Sequence, residues 1–146
     1  MGDECGCRAT GPIGELMADH ERIIDAAVET RRALDAGDLA AADRYLVTLA
    51  TQLDGHLRSE ECGLFATLRD HGTSPVCVDR LAAEHRRLDA LLMTALAGVP
   101  GWTDAARELV DLLLAHLDAE TAELFPVVLA AFDAGDWQRA AAAIRC

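Results

Sequence analysis

The sequence predicts an all-α protein, an antiparallel up-down-up-down four-helix bundle closed by a short C-terminal helix. Three observations carry that expectation. Ala and Leu dominate a chain that is 51% hydrophobic yet only 4% aromatic, a composition that favours helix over a β-sandwich. Apolar residues recur at helical spacing, and no segment alternates as a strand would. The helical stripes are separated by short breaks, which suits up-and-down packing of neighbours. At 146 residues the chain is long enough for one domain with a proper core.

Taken in order, residues 1–12 hold three Gly, a Pro and two Cys, Cys5 and Cys7, and read as a flexible tail. The bundle is expected over 13–132. Its first stripe begins at Ile13 and runs through Leu16, His20, Ile23 and Ala27. Gly37 is the expected C-terminal cap, and Asp38 can cap the next helix at once. The second stripe carries Leu46, Leu49, Leu53, His56, Glu60, Leu64 and Leu68, and ends at His71-Gly72. Ser74-Pro75 reads as an N-cap followed by Pro at the first helical position. The third stripe is Val78, Leu81, His85, Leu88, Leu92 and Ala95, broken at Gly98–Gly101. Thr103 or Asp104 is expected to cap a fourth helix with Leu109, Leu112, His116, Glu120, Leu124 and Val127. Pro126 lies inside that pattern and should kink it or loosen one turn. Asp133–Asp136 repeats the tetrapeptide Asp35–Asp38, so a short helix within 133–146 is expected to start at Trp137.

The chain repeats itself. HLRSEECGLF (His56–Phe65) and HLDAETAELF (His116–Phe125) share His-Leu-x-x-Glu-x-x-x-Leu-Phe, and Asp19-His20 parallels Glu84-His85. Each half thus contributes a lone His and then a His-x-x-x-Glu. Residues four apart lie on one face of a helix, so His56 points with Glu60 and His116 with Glu120. All six polar residues fall on the stripes that the apolar positions mark as core. Burying an unpaired polar group costs a few kcal/mol, against a typical total stability of ~5–15 kcal/mol. A metal centre would compensate. Imidazole plus carboxylate without thiolate suits iron, manganese or zinc. Two shared carboxylates suggest two ions close together, and inside a helical bundle that set points to non-haem di-iron.

Other residues read more plainly. A single His-x-x-x-Glu is usually a surface pair, and a lone His20 or His85 would usually be a hydrogen-bonded core histidine; the twofold repetition outweighs both readings. Cys62 and Cys77 read as helix-surface or core thiols. His71 reads as a solvated helix-end residue. Glu123, where the first repeat has Gly63, reads as exposed or as supporting the site. The net charge of −12 repels phosphate backbones and anionic headgroups, so neither nucleic acid nor a membrane surface is an expected partner. No apolar run approaches the ~18–20 residues of a bilayer span, and the first residues lack the apolar core of a secretory signal. A cytoplasmic location is the expectation.

At Asp19-His20, His56-x-x-x-Glu60-Glu61, Glu84-His85 and His116-x-x-x-Glu120 followed by Leu124-Phe125-Pro126, the sequence resembles the bacterial hemerythrin-like (HHE cation-binding) domain family. The likeness covers roughly 13–132. It implies a four-helix bundle around two iron ions bridged by oxo or hydroxo, with His20, His56, His85 and His116 as terminal ligands and Glu60 and Glu120 as bridges. Family members bind O₂, sense or handle O₂ and nitric oxide, process peroxide, or hold iron. Oxygen carriers have a fifth His one turn before the third-helix His; here that position is Leu81, with Leu16 as its counterpart. The leading expectation is therefore a di-iron protein that binds or reacts with a small diatomic or peroxide, its catalytic status open. A non-catalytic iron-storage or gas- or redox-sensing module is the alternative, and a structural zinc-binding bundle the second.

Overall fold

The computed structural model describes residues 11–143, with side chains from Ile13 onward. Cys5 and Cys7 lie outside it. The described chain is helical, without strands: α1 Gly11–Asp35, α2 Leu39–Ser59, π1 Glu60–Phe65, α3 Ala66–His71, α4 Pro75–Leu96, α5 Trp102–Ala119, π2 Glu120–Leu124, α6 Phe125–Ala131 and α7 Ala134–Ala143. None of these helices is long and apolar enough to cross a membrane.

The breaks follow backbone chemistry. Gly37 takes a left-handed φ of 72°, which lets the Asp38 N–H donate back to Ala33 O at 2.9 Å and closes α1. The Asp38 carboxylate then accepts from the Ala41 N–H at 3.0 Å and opens α2. Pro75 is the first residue of α4 as expected, but Ser74 does not cap it through its side chain. It takes a left-handed φ of 46°, and its carbonyl accepts the Val78 N–H instead. The fourth long helix starts at Trp102, ahead of the expected Thr103 or Asp104 cap, because Gly101 at φ 92° makes the turn. The C-terminal helix starts three residues before Trp137. Asp133 Oδ1 accepts the Asp136 N–H at 2.8 Å and Asp136 Oδ2 accepts the Asp133 N–H at 3.0 Å, a reciprocal cap that brings the start forward. Cys77 is a free, half-buried thiol; Cys62, expected as a thiol, is disulfide-bonded.

Helices α1 and α2 pack as one hairpin and α4 and α5 as a second; α1 also lies against α5, and α2 against α4. Two apolar clusters result. One holds Ile23, Leu46, Leu49, Leu53, Leu88, Leu109 and Leu113. The other holds Leu16, Leu64, Phe65, Leu68, Val78, Leu81, Phe125 and Val128, with Ala140 of α7. Each fully buried Leu contributes about 1.5–3 kcal/mol relative to exposure. In every long helix the chain passes from one cluster to the other through a polar residue of the repeat, so the six form a layer between two apolar ends.

Candidate metal centre

Each half of the repeat delivers its side chains from two helices. His20 sits on α1 and His56 at the end of α2; His85 sits on α4 and His116 at the end of α5. Glu60 and Glu120 are the first residues of π1 and π2. All six are buried, at 5% exposure or less, and both glutamates are fully enclosed. Their donor atoms make two groups that share both carboxylates: His20, His56, Glu60 and Glu120, and Glu60, His85, His116 and Glu120. Within each group the candidate atoms lie within 4.8 Å of one another.

The π turns explain how the spacing works. Phe125 N–H donates to Glu120 O, and Ala66 N–H to Glu61 O, each spanning five residues rather than four. The wider turn sets the register back, so Glu60, Leu64 and Leu68 all stay buried, as do Glu120, Leu124 and Val128. Pro126 is not the common cause, since the first repeat has Ala66 there. The Leu-Phe that closes each motif also has a role across the molecule. Phe65 stacks on His85 of the other hairpin with centroids 5.1 Å apart, and Phe125 lies against His20 at 5.3 Å.

An outer ring of carboxylates orients the imidazoles. His56 Nδ1–H donates to Asp19 at 3.4 Å, His116 Nδ1–H to Glu84 at 3.5 Å, and His85 Nδ1–H to Glu61 at 3.1 Å. A carboxylate only accepts, so each contact keeps a proton on Nδ1 and turns Nε2 inward. In sequence these acids adjoin motif residues, but each serves a histidine on a neighbouring helix, which only packing reveals. Glu123 is exposed and pairs with Arg80. His71 is tied to Asp136 of α7 at 2.8 Å rather than simply solvated. Tyr45 is exposed and takes no part.

The interior of the layer is short of protons. Nε2 of His20 and of His56, and both oxygens of Glu60 and of Glu120, are buried without a hydrogen-bond partner. His56 Nε2 approaches Glu60 Oε1 to 2.6 Å, close enough for an ion pair but without hydrogen-bond alignment. His85 Nε2 and His116 Nε2 face each other at 3.0 Å. Burial, with His56 adding to it, pushes His20 down to about 4. Burial and then the charge at His85 push His116 down to about 4 as well. Burial also opposes charge on His56, but Glu60 and Asp19 outweigh it and hold that imidazole up to about 9. Burial works to raise Glu60, and His56 foremost overcomes it, so its carboxyl stays below the ordinary range. Inward imidazole nitrogens around enclosed, unpartnered carboxylate oxygens are, once deprotonated, a donor set for cations. Two ligands on opposite sides of a cation bound at about 2.0–2.2 Å lie roughly 4.2 Å apart, which the span of each group accommodates. The buried cluster fits a metal site.

A family model for the hemerythrin HHE cation-binding domain matches residues 11–128. The chain belongs to that family. The match spans α1 to within α6, and so takes in all six residues of the layer and both π turns. No curated protein and no solved structure matches the chain significantly. In this hemerythrin-like domain Leu81, one turn before His85, and its repeat counterpart Leu16 are both buried in the apolar cluster around Phe65 and Phe125.

Proposed function

We propose that the protein is a non-haem di-iron protein that binds or reacts with O₂, nitric oxide or peroxide at its 4-His/2-Glu layer. The observation that carries this reading is the set of enclosed carboxylate oxygens with no partner, shared between two groups of imidazoles. Unpartnered buried acceptors cost several kcal/mol unless something positive meets them. His20, His56, His85 and His116 would serve as terminal donors through Nε2, and Glu60 and Glu120 would each serve both ions. Iron, when bound, supplies the electrons for the chemistry of the small ligand.

The chain's own contribution is positioning and exclusion of water. Asp19, Glu61 and Glu84 hold three of the imidazoles in the inward-facing tautomer. Leu53, Leu81, Leu88 and Leu113, all fully buried, make the wall dry. Leu81 and Leu16 offer no lone pair, so an exogenous ligand has to complete the donor set, which favours reactive chemistry over simple carriage. Metal analysis of the purified protein, with optical spectra before and after air, nitric oxide and peroxide, tests the proposal. Iron and a near-ultraviolet ligand-to-iron band that responds to these additions are expected. A protein that contains zinc, or no metal, and shows no such band would refute it. Peroxide turnover lost in His56→Ala would separate catalysis from storage or sensing.

A further inference from the structure

The repeat is broken at one functionally exposed point. The Glu61 carboxylate accepts from the outward nitrogen of His85. The repeat counterpart of Glu61 is Thr121, and the counterpart of His85 is His20. Thr121 does not replace the missing contact, because its hydroxyl donates to Leu117 O at 3.1 Å. Among the described residues His20 Nδ1 has no hydrogen-bond partner, whereas Nδ1 of each of the other three histidines has a carboxylate. His20 is also the most exposed of the four, at 5% against 1%, 1% and 0% for His56, His85 and His116. It lines a surface cleft between α1 and α5, with Met17, Glu21, Leu117 and Thr121.

We propose that the two cation positions are held unequally, and that Thr121 makes the ion between His20 and His56 the exchangeable one. The inference rests on the dinuclear reading above. On the His85 side, fixed carboxylates orient both imidazoles. On the His20 side one imidazole has ring contacts with Phe125 and His56 but no carboxylate on Nδ1. Removing a carboxylate partner of a ligating histidine typically weakens metal binding about 10–100-fold. The same cleft gives a chelator or incoming ion a short path to His20, while Glu61 stands over His85.

The test uses the full chain loaded anaerobically with ferrous iron and challenged with a colorimetric ferrous chelator. Two phases are expected, one ion per chain leaving about 10-fold or more faster than the other. Thr121→Glu should slow the fast phase towards the slow one. Glu61→Thr should speed the slow phase towards the fast one. Thr121 and Glu61 are both exposed, so neither variant loads the core. His20→Ala should retain an ion that leaves at the slow rate. Two ions released in a single phase, or phases unmoved by Thr121→Glu and Glu61→Thr, would overturn the inequality while leaving the dinuclear reading intact. A chain that takes up fewer than two ions would overturn both.

Discussion

The two π turns carry matching motifs and face different surroundings. Under π1 the chain has Gly63, and a side chain there would place Cβ 3.3 Å from the carbonyl oxygen of Ala140 in α7. At the matching point of π2 it has Glu123, which is exposed and pairs with Arg80. The inner faces of the two turns are near-identical: Glu, Leu and Phe, all buried. The two copies therefore match where they meet the middle of the bundle and differ in what covers them from outside. Gly63 earns its place by letting α7 lie against π1, a contact that the His71–Asp136 and Arg139–Asp70 pairs tie down at its edges.

The comparison can be broken first at its common core. Glu60→Ala and Glu120→Ala each remove an acceptor from both groups, so each variant should lose both ions together, whichever repeat is cut. Metal content after desalting checks this; retention of one full ion in either variant would mean that the carboxylates are not shared. Next comes the covered turn. Gly63→Glu copies the second repeat into the first and should displace α7, costing about 1–3 kcal/mol as overpacking. Hydrogen exchange across 134–143 should rise sharply and the melting temperature fall, while metal stoichiometry stays unchanged. The reverse change, Glu123→Gly, should cost only about 1 kcal/mol of helix propensity beyond an exposed ion pair with Arg80, since α7 does not lie on Glu123 as it does on Gly63. Equal losses of stability from the two swaps would contradict the idea that α7 is what separates them.

The smallest effect is with pH in the metal-free protein, where the first hairpin should show itself on the alkaline side. His56 is held up to about 9 by Glu60 and Asp19, so its contribution is complete below pH 6.5 and is lost as pH rises towards 9. His20 and His116, held down to about 4, act oppositely: the unfolded chain takes up their protons first, and stability falls as pH drops from 6.5 towards 4. Lowered Glu60 and Asp19 add to the acid-side loss. Metal-free melting temperature should peak near pH 6.5, and Asp19→Asn should flatten its alkaline limb. An unchanged alkaline limb would remove Asp19 from that account.

Much of this was legible before any coordinates. A 3.6-residue period places whole helices, and His-x-x-x-Glu written twice on apolar stripes singles out the six polar residues that the structure gathers into one layer. Glycine breaks were equally readable, because a left-handed φ at Gly37 and Gly72 is what the residue permits. Less readable was anything that depends on how one hairpin lies on the other. Glu61 sits beside Glu60 in sequence, yet it serves His85, and no spacing rule within π1 announces that. Caps went astray where two residues competed: Gly101 preceded Thr103, and Asp133 formed its reciprocal bonds before Trp137 could begin a helix. The π turns left no mark of their own, since Gly63 and Glu123 differ and only one copy carries the proline.

Each group of donors contains three residues from one hairpin and one glutamate from the other. Neither hairpin, cut free, could assemble a four-donor set. Where cations fill both groups, stripping them and prising the hairpins apart become coupled events: whatever loosens the docking of α1–α2 on α4–α5 would weaken both positions at once, and whatever fills those positions would clamp the halves shut.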